Sequence, residues 1–263
     1  MSRPATAGAA LQPAPQRHQV ILRKLRVEGQ LRALEVANEL GVTHETVRKD
    51  LLQLESRGLL KRVHGGAVPV QSLSYEPGVA SRTAYAAEKR RIAAAAALLV
   101  PAEGAVLIDA GSTTAALAEV FPANPTLTVV TNTLPIALTL LGYPNLTVHT
   151  LGGRVRPTTM AEVDHWALRA LHELQVDIAF LGTNAYSVKH GLCTPDPAEA
   201  AVKGAMVAAA RRCILLADHS KCGLSSVFRY AEMGSIDVLV SDTGLPVEEA
   251  RAVEACGVEV IRA

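Results

Sequence analysis

The sequence predicts an α/β chain in two parts: an N-terminal winged helix-turn-helix domain, followed by a larger doubly wound, mostly parallel α/β domain. Three observations predict it. Gly41 to Lys49 joins two amphipathic segments through a short turn. Leu59 to Val70 reads as two short strands turned by glycines. From Ala105 onward, short apolar runs alternate with helical periodicities, the pattern of a parallel sheet covered by helices.

Length and composition agree. A chain of 263 residues suits two domains better than one. Residues 1–66 carry 11 Lys/Arg against 6 Asp/Glu, a net of +5, while the remainder carries 15 against 19, a net of −4. A basic head on a mildly acidic body fits a nucleic-acid reader joined to something else. The four cysteines, Cys193, Cys213, Cys222 and Cys256, form no C-x-x-C pair, so neither a disulfide framework nor a zinc site is expected. No apolar run reaches membrane-spanning length. No signal peptide is evident, and the chain is expected to be soluble and cytoplasmic.

Residues 1–16 are rich in Ala, Pro and Gln and read as a disordered leader. The reader domain is expected over 17–70. Val20, Ile21, Leu22 and Leu25 give a first helix, His18 to Gly29. Leu31 stands as an isolated apolar residue before the second helix, Ala33 to Leu40. Gly41 suits a helix C-cap and Thr43 the N-cap of the next helix, which runs to Ser56. Val47, Leu51 and Leu54 recur at i, i+4 and i+7 and face inward. Thr43, His44, Thr46, Arg48 and Lys49 remain at the free N-terminal end, where a helix enters the major groove. Strands at Leu59–Val63 and Ala67–Val70 would form the wing, with Lys61, Arg62 and His64 against phosphate or minor groove.

Val42-Thr43-His44-Glu45-Thr46-Val47-Arg48-Lys49-Asp50-Leu51, Leu54-Glu55 and Gly58 to Ala67, ending R-V-H-G-G-A, resemble the DeoR-type bacterial transcriptional regulators. The resemblance implies binding to a double-stranded DNA operator. The family usually has Ser at the Thr43 position and Arg at Lys49. Lys keeps the cation there but loses bidentate guanine readout.

Residues 71–87 mix Pro, Ser, Tyr and Gly and read as a linker. The second domain is expected over 88–263, opening with a helix at Glu88–Val100. Strands are expected at Ala105–Ile108, Leu127–Val130, Leu146–Thr150, Ile178–Leu181, Cys213–Ala217, Val238–Val240 and Val258–Ile261. Helices are expected at Thr113–Phe121, Leu134–Leu141, His165–Leu171, Ala198–Arg211 and Val247–Ala255. Ligands of such sheets bind beyond the carboxyl ends of the strands.

Several strand exits carry polar residues. Asp109-Ala110-Gly111-Ser112-Thr113-Thr114 opens a helix and makes a competent phosphate cradle, although a plain Ser/Thr cap reads the same. Thr131-Asn132-Thr133 fits an Asx turn as well as a ligand contact. Gly152-Gly153-Arg154 brings backbone close and offers a cation. Leu181-Gly182-Thr183-Asn184, Lys203 on an Ala-rich helix, and Asp218-His219-Ser220-Lys221 complete the set. For Lys203 and Lys221 the plain alternative is a solvated lysine.

D-A-G-S-T-T, T-N-T-L-P-I-A, L-G-G-R, F-L-G-T-N, A-V-K-G-A-M and L-L-A-D-H-S-K resemble the DeoR sensor domain, whose fold is similar to ribose-5-phosphate isomerase. The resemblance implies a phosphorylated sugar effector held by Asp109, Gly111, Ser112, Thr113, Thr114, Asn132, Gly152, Gly153, Arg154, Asn184, Lys203, Asp218 and Lys221. It also implies a homo-oligomer, dimer or tetramer. No cofactor and no metal are expected. Val163-Asp164-His165 and Thr183-Asn184 depart from the family pattern, so the identity of the sugar does not carry over. A DNA-binding regulator, acting as a repressor of carbohydrate genes, is therefore the leading expectation. The alternative is a sugar-phosphate isomerase with a DNA-binding appendage. Isomerisation needs a carboxylate base, and the loop after Leu181 has none.

Overall fold

The computed structural model describes residues 13–263 apart from 29–30, 64, 69–72, 75, 77, 80–81 and 124–125. The chain divides into two compact units at Pro77/Gly78.

In the first unit, α1 (Ala14–Glu28), β1 (Leu31–Arg32), α2 (Ala33–Leu40), α3 (His44–Ser56), β2 (Lys61–Val63) and β3 (Gly66–Val68) follow one another. Helix α1 begins at Ala14, not His18, so the expected leader is too long by its last residues; Pro15 lies in the first turn, where a missing N–H is harmless. Gly41, at φ 63°, ends α2. Thr43 caps α3, its hydroxyl accepting the Thr46 amide at 3.1 Å. Ile21, Leu25, Val36, Val47, Leu51, Leu54 and Leu60 form the core. Leu31 is not isolated: β1 pairs antiparallel with β3, which pairs with β2, so the wing has three strands. Gly66 explains the tail of the motif. A Cβ there would overlap the Leu31 carbonyl.

In the second unit, α4 (Ala86–Ala97) precedes β4 (Glu103–Ile108), α5 (Ser112–Glu119), β5 (Thr126–Thr131), α6 (Leu134–Leu140) and β6 (Leu146–Thr150). A short hairpin, β7 (Arg154–Val155) and β8 (Glu162–Val163), leads to α7 (Asp164–His172) and β9 (Val176–Gly182). Then come β10 (Ala185–Ser187), β11 (Gly191–Thr194), α8 (Pro197–Ala209), β12 (Ala210–Leu216), β13 (Phe228–Ala231), β14 (Val238–Ser241), α9 (Val247–Glu254) and β15 (Glu259–Arg262).

Seven strands form one parallel sheet in the order β15-β14-β12-β9-β4-β5-β6. Val106, Ile108, Val129, Phe180, Ile214 and Val240 supply one apolar cluster, and Leu107, Ala179, Leu181, Leu215 and Leu239 the other, so both faces are buried as continuous apolar strands require. The chain starts at β4, moves out through β5 to β6, then crosses back to β9 on the other side of β4. The topological switch point, where such sheets bind ligands, therefore lies between the carboxyl ends of β4 and β9. A smaller antiparallel sheet, β10-β11-β13, was not foreseen; its strands are three or four residues long and lack a clear alternation.

Candidate functional site

At the switch point, Asp109 follows β4 and is fully buried. Its Oδ2 accepts the Gly182 amide at 2.9 Å from the end of β9 and receives Lys203 Nζ from α8. Lys203 also donates to the Gly182 carbonyl at 3.1 Å. Lys203 is 4% exposed, which overturns the solvated-lysine alternative. The reason is legible in α8: Glu199, Val202, Lys203 and Met206 all lie on its buried side. Burial pushes the Asp109 carboxyl up, against the pull of Lys203. The other oxygen, Oδ1, finds no hydrogen-bond partner among the described residues. A buried carboxylate oxygen left unpaired is costly.

Beside it, α5 opens at Ser112 with Gly111 as N-cap and no side-chain cap. Its first-turn amides meet the switch point, where an anion is favoured. Gly111 and Ser112 are half-buried, whereas Thr113 and Thr114 are buried. Thr114 Oγ1 turns back to the Gly111 carbonyl at 3.0 Å and shapes the loop, while Ser112 is the half-buried hydroxyl of this first turn. Asn132 acts as a brace: its Oδ1 accepts the Ala110 amide at 2.7 Å and its carbonyl the Glu162 amide at 2.6 Å.

The remaining expected residues lie farther out. Gly152 and Gly153, at φ 73° and 112°, follow β6, and Gly152 donates its amide to Glu162 at 2.8 Å. Arg154 is held by Asp164 at 2.6 Å, beside His165 and Trp166 in a surface cleft of about 330 Å³. On the opposite flank, Asp218 follows β12, and burial lowers the neighbouring Lys221 amine while Asp218 opposes that shift. Asn184 is half-buried after β9. β6 and β12 each lie two strands from β4, about 10 Å to either side at ordinary strand spacing. The thirteen expected residues thus fall into a central group around Asp109, Gly182 and Lys203 and two groups at the ends of β6 and β12.

Some residues went unrecognised. Lys89 on α4 is buried, its Nζ donating to the carbonyls of Arg82 and Ala84 at 2.9 and 2.7 Å. Its signal was its spacing from Ile92, Ala93 and Ala96, all on the buried side of α4. Glu199 receives Arg156 and Thr159, and Tyr230 donates to the Gly182 carbonyl at 3.1 Å. These pairs join distant segments and have no local signature.

In the first unit, His44, Glu45, Arg48 and Lys49 are exposed on α3, and Lys61 on β2. Arg62 differs from expectation: its Nε binds Glu55 of α3 at 2.6 Å and its amide binds the same carboxylate at 2.8 Å, making it a strut between wing and helix. His64 lies outside the described residues. Asp50, inward on α3, was missed as an anchor: it accepts two bonds from Arg17, at 2.8 and 2.9 Å, and lies 3.0 Å from His18.

Among the described residues no helix is long and apolar enough to cross a membrane. A model of the DeoR-like helix-turn-helix domain matches residues 17–72, and one of the DeoR C-terminal sensor domain matches residues 85–243. The chain is 37% identical to the HTH-type transcriptional regulator GlpR of Haloferax volcanii, across 86% of this chain and 89% of that protein. It is 28% identical to the glycerol-3-phosphate regulon repressor of Escherichia coli K12, across 88% and 92%. Among solved structures, ribose 5-phosphate isomerase A of Methanocaldococcus jannaschii aligns over 53% of this chain and 55% of that one, at 18% identity and a TM-score of 0.39.

Proposed function

Because the chain belongs to the DeoR family of DNA-binding transcriptional regulators, and is a regulator rather than an enzyme, we propose that its second unit senses a phosphorylated sugar or related metabolite. Binding there changes the grip of the first unit on an operator of carbohydrate genes. The phosphate sits on the first turn of α5 at Gly111 and Ser112, and a sugar hydroxyl donates to Asp109 Oδ1. The observation that carries this reading is the unpaired buried oxygen of Asp109 beside an uncapped helix start, at the sheet's switch point. Lys203 is not the phosphate cation, since Asp109 already neutralises it. The name of the Escherichia coli relative, which carries a phosphorylated three-carbon compound, supports the chemical class.

The protein acts in the cytoplasm as a homo-oligomer, because two operator half-sites call for a two-fold pair of recognition helices.

A thermal-shift panel of sugar phosphates tests the sensing reading. A ligand of the native state at a hundred times its Kd stabilises by about 2.7 kcal/mol, so at least one compound raises Tm. Ser112→Asp, which places a carboxylate in the phosphate seat, abolishes that rise. No shift from any sugar phosphate sinks the sensing reading and leaves DNA binding standing.

A further inference from the structure

Of the three acidic side chains on the recognition helix, Asp50 is buried, Glu55 is bound to Arg62, and Glu45 is exposed. Glu45, in the first turn of α3, receives Arg48 Nε at Oε2, 2.8 Å, and Arg48 Nη2 at Oε1, 2.9 Å. Both side chains are more than half exposed, at 54% and 53%. A carboxylate on the DNA-facing end of a basic helix opposes phosphate binding, so its presence there needs a reason.

The stereochemistry supplies one. A guanidinium has five N–H groups in a planar fork. Glu45 takes the side-on pair, Nε and one Nη2 hydrogen. The end-on pair, on Nη1 and the other Nη2 hydrogen, remains directed away from Glu45 along the axis of the side chain. That pair matches guanine O6 and N7, the commonest bidentate base contact. Arginine otherwise loses much rotamer freedom on docking. Held from the side by a residue one turn earlier, its plane is fixed before the DNA arrives.

We infer that Glu45 is a positioning residue for base readout: it clamps Arg48 side-on so that the end-on fork reads one guanine in each operator half-site. Glu45 itself touches no base. The inference rests on α3 being the reader. Lys49, the neighbouring cation, has no planar fork and takes phosphate instead.

The test uses the full chain and a pool of random-sequence duplexes. Wild type, Glu45→Ala, Glu45→Gln and Arg48→Ala are each carried through rounds of selection, and single-base variants of the winning duplex are then titrated. Circular dichroism confirms the folding of each variant. Wild type prefers one guanine by about ten- to hundredfold. Arg48→Ala loses that preference. Glu45→Ala weakens it severalfold at the same base pair, and Glu45→Gln, which keeps one acceptor, falls between. In the Arg48→Ala background, Glu45→Ala changes no base preference. Glu45→Ala and Glu45→Gln remove the same charge, so their common effect on affinity for all duplexes separates repulsion from positioning.

Relaxation at a different base pair in Glu45→Ala overturns the inference, because Glu45 would then read a base directly. A uniform gain of affinity with the guanine preference intact overturns it too. If Arg48→Ala keeps every preference, Arg48 reads no base and the inference falls, a failure distinguishable from the other two and from loss of DNA binding by α3 as a whole.

Discussion

The two units use charge in opposite ways. On the DNA-facing helix, Arg48 and Glu45 are exposed, as are His44 and Lys49. In the sensor unit, Asp109, Glu199 and Lys203 are almost wholly buried and tied to partners. Exposed ion pairs contribute little to stability and remain open to a polyanion. Buried pairs are costly to break from one side. Charge on the exposed face of α3 is therefore left open to a polyanion, while the buried charges of the second unit brace the ends of β4 and β9 against α8. Two pairs in the first unit are exceptions: Asp50 ties α1 to α3 through Arg17 and His18, and Glu55 ties β2 to α3 through Arg62.

Three substitutions sharpen or break this contrast. The largest effect is expected for Lys203→Met, which leaves the Asp109 carboxylate buried without its cation and costs about 3–5 kcal/mol. Urea unfolding measures it, and adding Asp109→Asn restores a large part. Equal losses in the single and double variants would mean that the pair contributes little. Next comes Gly66→Ala, in the wing. Because the new Cβ overlaps the Leu31 carbonyl, β1 and β3 must separate, at about 1–3 kcal/mol. Unchanged stability and unchanged DNA affinity would show the wing to be held some other way. The smallest is Thr43→Ala, which removes the α3 cap and costs about 1 kcal/mol. An effect within error would show that water replaces the hydroxyl without loss.

Local signals carried most of the architecture from the sequence. The cap at Thr43 and the turn at Gly41 are written within a few residues of the features they control. β6 ends as expected because Leu146 to Thr150 is a bounded run. The C-terminal strand of the sheet is β15, Glu259–Arg262, displaced one residue toward the C-terminus from Val258–Ile261. What was not legible is pairing across distance. Nothing near Leu31 announces a strand, because its partner Ala67 lies on the far side of two helices. Nothing near Lys203 names Asp109 as its counter-ion, and nothing near Arg62 names Glu55. The site was legible as a set of strand exits. Its centre was not, since strand order had to be known before the switch point between β4 and β9 could be located.

The three-stranded wing limits how the reader unit can move. Strand β3 is bonded on one side to β2 and on the other to the two residues leading into α2, while Arg62 bolts β2 to α3. A wing built this way cannot swing separately from the recognition helix. A signal that reaches this unit is therefore expected to displace or loosen wing and recognition helix as one block. Mutations that uncouple sensing from repression should then cluster at the borders of that block, with few inside it.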